Sequence, residues 1–148
     1  MPEAPALPDC VCGALRTVTR AVTQLYDDAM RPAGLRITQF SLLSRISRLQ
    51  PVSAAQLVDS LHADQTTLAR ALKLLENEGL VHRVAEADRR QKRIRLTGAG
   101  ERKLAAARKL WARAQSRMVA LIGERQWIAA RAQLGGLLAA VEKESRAG

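Results

Sequence analysis

Residues 83 to 95 contain six cations, Arg83, Arg89, Arg90, Lys92, Arg93 and Arg95, against two acids, Glu86 and Asp88. Charge at this density serves no apolar core, because a buried ion without a partner is costly. It suits a phosphate backbone, whose neutralisation releases counterions. Taken alone such a run is better read as a solvated loop, and only its place directly after a helix-turn-helix pattern reverses that reading. A second polar set lies just upstream: Gln65, Thr66, Thr67, Arg70 and Lys73, interleaved with Leu68, Ala71, Leu72 and Leu75. Gln can pair bidentately with adenine and Arg with guanine, and a Thr methyl can pack on thymine. Thr66 and Thr67 serve equally well as parts of a helix cap. Arg70 falls on the face of Thr66, opposite the leucines, and Lys73 continues that face toward a phosphate.

The elements that must position these residues are legible around them. Ser53 with Gln56 is a capping-box signature, followed by Leu57, Val58 and Leu61 on one helical face. After a break at His62-Ala63, Asp64 suits an N-cap, and a second helix runs to Gly79, placed as a left-handed terminator. Two helices across so short a turn match the helix-turn-helix plan, with the second entering the major groove. Leu80–Val84 then reads as a strand and Arg93–Leu96 as its return, around the polar tip AEADRRQK. The whole predicts a winged helix-turn-helix whose basic tip can enter the minor groove.

At this point the chain resembles the multiple-antibiotic-resistance regulator (MarR) family. The resemblance rests on GLV-x-R at 79–83, D-R-R at 88–90, Arg93, L-T-x-x-G at 96–100 and GL-x-x-T-Q-F-x-L-L at 34–43, and covers nearly the whole chain. It implies that Arg90, the second residue after the wing Asp88, reaches into the minor groove, oriented by Asp88 through a carboxylate–guanidinium pair. Arg89, Lys92 and Arg93 would then supply backbone contacts. It further implies dimerisation through helices at both termini. Release from DNA would follow binding of small anionic aromatics or cysteine oxidation, with metals used in some branches.

Composition sets the outer bounds. The 148 residues carry a net charge of +10, are 47% hydrophobic and only 3% aromatic, which favours helix over sheet. A sequence pI near 11.0 implies a polyanionic partner. No apolar run approaches the roughly 18 residues of a membrane span, and the start MPEAPALPDC does not read as a secretory signal. Two cysteines, Cys10 and Cys12, cannot make a disulfide framework. The expectation is a cytoplasmic, nucleoid-associated protein that is not an enzyme. HEXXH, Walker and GxGxxG patterns are absent, and neither thiol has a paired base nearby.

From about Asp9 to Met30, apolar residues at 11, 15, 18, 22, 25 and 29 step by four and three, a coiled-coil seam ended by Pro32 and Gly34. A helix with Phe40, Leu42, Leu43 and Ile46 follows Thr38 and stops at Gln50-Pro51. Thr97 caps a long helix with apolar positions 104, 107, 111, 114, 118 and 121, broken by Gly123. A last helix carries Trp127, Ile128, Leu134, Leu137, Leu138 and Val141 on one side. These stripes exceed what a winged domain can cover. The expected organisation is a single protomer over 1–148, with a DNA-binding region at 36–98 and dimerisation helices at 9–31 and 98–146. A two-fold dimer would set two recognition helices against a palindromic operator in double-stranded DNA. A monomer with a helical cap is the alternative.

Candidates for an effector site come from side-chain chemistry. Arg16 can pair with a carboxylate or form a surface salt bridge. Tyr26 and Trp111 can meet an aromatic ligand or serve as core. His62 sits at the helix-turn-helix corner as a ligand or a turn residue. Cys10 and Cys12 are two small hydrophobes or a redox pair. On a regular helix their side chains diverge, and a later helix start would remove that obstacle. No cofactor and no metal site are expected. The function expected is a homodimeric regulator, a repressor released by a phenolic or anionic aromatic ligand or by cysteine oxidation. The alternative is a constitutive or architectural DNA-binding protein without an effector.

Overall fold

The computed structural model describes residues 5–85 and 92–147. Helix α1 spans Val11–Met30, followed by a 3-10 turn over Arg31–Ala33. Then come α2 (Ile37–Leu49), α3 (Ala54–Leu61), α4 (Gln65–Asn77), β1 (Val81–Ala85), β2 (Lys92–Leu96), α5 (Gly98–Ile122) and α6 (Glu124–Ala147). The result is mainly helical with one small β-wing, the winged helix-turn-helix expected from the sequence. The chain divides into two compact units, Met1–Trp111 and Ala112–Gly148.

The core of the first unit gathers one face of each element. Leu43 and Ile46 of α2, Leu57 of α3, Leu72 and Leu75 of α4, Ile94 of β2 and Leu104 of α5 are all fully or almost fully enclosed. Within a helix the buried positions recur at steps of three or four residues, which is why one face turns inward. Phe40 stacks on Trp111 with ring centres 5.9 Å apart and planes inclined by 23°. That contact places Trp111 as packing at the edge of the core.

Caps fix where the helices begin. Ser53 accepts from the Gln56 amide at 3.1 Å while the Gln56 side chain accepts from the Ser53 amide at 3.0 Å, the reciprocal pair expected. Asp64 accepts from the Thr67 amide at 2.8 Å. Helix α2 starts one residue before Thr38. Its first amide, that of Ile37, donates 2.7 Å to Asp27 on α1, and the Gln39 side chain accepts from the Arg36 amide at 2.9 Å. The α3–α4 turn is made by His62 in the left-handed region, φ 49°. Glu78 caps α4, and Gly79 follows at φ 70° to turn the chain into β1.

The strands pair antiparallel from Val81 with Leu96 to Ala85 with Lys92. Each extends one residue beyond the predicted run at its tip end. The sequence reading has no counterpart for Val52, which bridges Ile94 on the free side of β2 through both backbone bonds. This single-residue bridge lies between α2 and α3, too short to leave a period in the sequence. Gln50 adds a side-chain bond, accepting from the Leu96 amide at 2.9 Å.

Outside the core, α1 leaves Val11, Leu15 and Val18 exposed, while Val22, Leu25 and Ala29 on the same seam are half-buried. In the second unit α6 has no buried residue at all, and Ile128, Leu134, Leu137, Leu138 and Val141 are open to solvent. Among the described residues no helix is long and apolar enough to cross a membrane.

Candidate nucleic-acid interface

Helix α4 is held by Leu68, Leu72 and Leu75, all buried. Thr66, Arg70 and Lys73 lie on its opposite face, and Gln65 and Thr67 stand in its first turn, every one exposed. Arg70 and Lys73 therefore present their cations at the surface. Thr67 has a second duty. Its amide and its hydroxyl both bond Asp64, and with the Thr66 amide they hold that carboxyl below its ordinary range. The Thr67 side chain is therefore part of the cap, whereas those of Thr66, Arg70 and Lys73 point away from the fold's own packing.

The basic hairpin separates into cations with different surroundings. Lys92 and Arg95 on β2 are exposed, with Arg95 across from His82 in the pairing register. Arg93 is half-buried, and its Nη1 donates 2.8 Å to Oε1 of Gln56 at the start of α3. The role of Arg93 as a phosphate contact, implied by the family likeness, thus meets a guanidinium directed to the protein. Arg83 on β1 donates from Nε to Glu76 of α4. Sequence reasoning counts Arg83 only as charge, because its partner lies seven residues back on a different element. Asp88, Arg89 and Arg90 lie outside the described residues.

Two hollows adjoin this surface. A groove of about 370 Å³ between α3 and α4 is lined by Ala55, Asp59, Gln65, Leu68, Ala69 and Arg83. Behind α4 lies a larger cleft of about 980 Å³, bounded by Arg20, Gln24 and Asp27 of α1, Arg36 and Leu42, and Leu74 and Glu78 of α4. None of the predicted effector residues lines this cleft. Arg16 is exposed on α1, and Tyr26 is half-buried there, with burial raising its hydroxyl above the usual value. His62 is an exposed helix terminator, and Trp111 packs on Phe40. Cys10 and Cys12 are both free and exposed. Helix α1 begins at Val11, so Cys10 stands outside it with extended backbone, φ −69° and ψ 121°.

A family model described as the MarR family matches residues 35–92, from the loop before α2 to the first residue of β2. The M. tuberculosis transcriptional regulator MosR, solved in complex with DNA, is 37% identical. That match covers 91% of this chain and 98% of MosR, with a TM-score of 0.83. This chain belongs to the MarR family. A second structure of M. tuberculosis MosR matches at 34% identity over 93% of this chain and 99% of that one, TM-score 0.79. The transcriptional repressor CouR, bound to a 23-mer DNA duplex, is 26% identical over 88% of this chain and 93% of its own, TM-score 0.79. MarR-family proteins are DNA-binding transcriptional regulators and not enzymes.

Proposed function

We propose that this MarR-family regulator acts as a homodimeric repressor in the cytoplasm, binding a palindromic operator in chromosomal DNA. The observation that carries the reading is α4: a helix anchored by three leucines that offers Gln65 at its start, and Thr66, Arg70 and Lys73 on its outer face, to solvent. Gln65 and Arg70 supply the bidentate groups that read base edges, and Lys73 and Lys92 suit phosphates. Arg90, with Asp88 and Arg89, takes the minor-groove role through the family likeness. MosR and CouR, both described on DNA, support this placement for relatives of the same fold.

The region 36–98 is the DNA-binding part, and 9–31 and 98–146 are the dimerisation helices. The exposed apolar residues of α1 and, separately, of α6 favour a second copy as their cover. Two chains also fit the two-fold symmetry of a palindrome.

Release from DNA follows one of two chemistries. Cys10 and Cys12 are exposed, and Cys10 stands at the cap of α1 with extended backbone, just before its first residue. A hydroperoxide would take two electrons and two protons from the thiols, leaving a disulfide, an alcohol or water, and a second water. A phenolic or anionic aromatic ligand is the other effector class. The cleft behind α4, with Arg20 and Arg36 in its lining, suits such an anion better than the surroundings of Arg16, Tyr26, His62 or Trp111. Fluorescence anisotropy with the DNA upstream of the chain's own gene, at two salt concentrations and against scrambled DNA, tests the reading. Nanomolar selective binding at two chains per site is expected. Equal weak binding to both DNAs would favour a constitutive architectural protein. Peroxide sensitivity that persists when both cysteines become Ser would end the redox reading.

A further inference from the structure

The wing is joined to the helix-turn-helix by two side-chain ties that use its own cations. On β2, Arg93 Nη1 donates 2.8 Å to Gln56 Oε1. That same oxygen accepts from the Ser53 amide at 3.0 Å, so it belongs to the capping box at the start of α3. On β1, Arg83 donates to Glu76 in the last turns of α4. The two ties therefore engage different strands and different helices. Backbone bonds secure the inner end of the hairpin, through Val52 with Ile94 and Thr97 with Leu80.

We infer that Arg93–Gln56 and Arg83–Glu76 form a two-point clamp that sets the wing's inclination to the recognition helix. Arg83 and Arg93 are then positioning residues for DNA binding and not phosphate contacts. This rests on the DNA-binding reading above. The physical case is direct. Two strands joined to a domain by one edge can rock about that edge, and a tie from each strand removes the freedom. A bond from a charged donor is stronger than a neutral one, and Gln56 is held in place by its own cap bonds. The clamp divides the basic run between two roles. Arg83 and Arg93 orient, while the exposed Lys92 and Arg95 remain for the polyanion.

A double-mutant cycle separates the two roles, because residues acting through one bond are not additive. Operator affinity is measured for Gln56→Met, Arg93→Met and the double variant. Ser53→Ala serves as control, since it removes the other half of the capping box and leaves Gln56 Oε1 in place. The clamp predicts that each single change weakens binding by about tenfold, that the double costs no more than either, and that Arg93→Met costs the same factor in the Ser53→Ala background. Amide exchange at Lys92–Leu96 in the DNA-free protein should speed up in Arg93→Met and in Gln56→Met, and less in Ser53→Ala. Additive losses, with unchanged exchange and a salt slope shallower by about one unit in Arg93→Met, would make Arg93 a phosphate contact and overturn the clamp. If the unaltered protein binds no DNA, the regulator reading fails by itself, and the exchange rates still decide whether the clamp exists.

Discussion

A Cβ placed on Gly100 would stand 2.0 Å from the backbone oxygen of Leu80. The start of α5 thus lies directly against the turn that leaves α4, and only glycine fits. Thr97 completes the join: its hydroxyl donates to the Gly79 oxygen at 2.6 Å and accepts from the Gly100 amide at 3.0 Å, while its amide donates to Leu80 at 3.0 Å. The G-L at 79–80 and the L-T-x-x-G at 96–100 are two halves of one contact that closes the wing at its base.

Gly100→Ala should therefore destabilise the protein by about 1–3 kcal/mol or more, because the obstacle is backbone and cannot swing aside. Chemical denaturation of the two proteins measures it. A midpoint equal to that of the unaltered chain would show that α5 can slide away from Leu80 without loss. Gly79, which occupies the left-handed region with open space around it, should also resist Ala, for conformational reasons alone.

Asp27 supplies a different kind of join. Its carboxylate accepts the first amide of α2 at 2.7 Å from a position on α1, ten residues earlier. Asp27→Ala should cost about 1 kcal/mol, in the range of a lost N-cap, and Asp27→Asn should recover most of it by keeping an acceptor. Thermal unfolding of both variants decides. The same residue lines the cleft behind α4, so a ligand that bonds this carboxylate in place of the Ile37 amide would loosen the start of α2.

How much of the fold and the interface is legible in the sequence depends on the range of each interaction. Ser53 with Gln56, and Asp64 before its helix, announce themselves within three residues, and the structure makes the bonds they foretell. Leu68, Leu72 and Leu75 mark the buried face of α4 by spacing alone, which leaves Arg70 and Lys73 outward by subtraction. The ties of Arg93 to Gln56 and Gln50 to Leu96 span 37 and 46 positions, and no local pattern encodes them. The Val52 bridge is a single residue and has no period. The family likeness assigns Arg93 to DNA, and a charge count gives no sign of its bond to Gln56, because counting does not tell a solvated cation from a half-buried one.

Asp64 gives the protein a defined acid sensitivity. The Thr67 amide, then the Thr67 hydroxyl, hold its carboxyl below the ordinary aspartate value in the folded chain. A group depressed on folding contributes its stability in full above the unfolded value, and the contribution disappears as pH falls through the folded one. The cap is thus complete near neutral pH and lost only in acid, below the ordinary aspartate value. Asp64→Asn keeps an acceptor that does not titrate. Melts taken from about pH 7 to about pH 3 should find the two proteins alike at first, with the Asn variant gaining on the other toward the acid end. Parallel curves throughout would mean that the cap bond does not govern the start of α4.

Arg70 and Lys73 share one exposed face of α4, about one helical turn apart, yet their chemistry differs. A guanidinium can grip a guanine edge with two bonds, whereas an ammonium meets a phosphate as a point charge. Arg70→Ala should weaken operator binding by about 1–3 kcal/mol and relax the preference at one base position. Lys73→Ala should weaken specific and scrambled DNA alike and flatten the dependence on salt by about one unit. Anisotropy titrations at several salt concentrations, on a panel of singly substituted operators, read both effects in one experiment. If Arg70→Ala lowers affinity equally for every sequence and changes the salt slope, then Arg70 is a second phosphate contact. Base readout by α4 would then fall to Gln65 and Thr66, the remaining outward residues of its first turn.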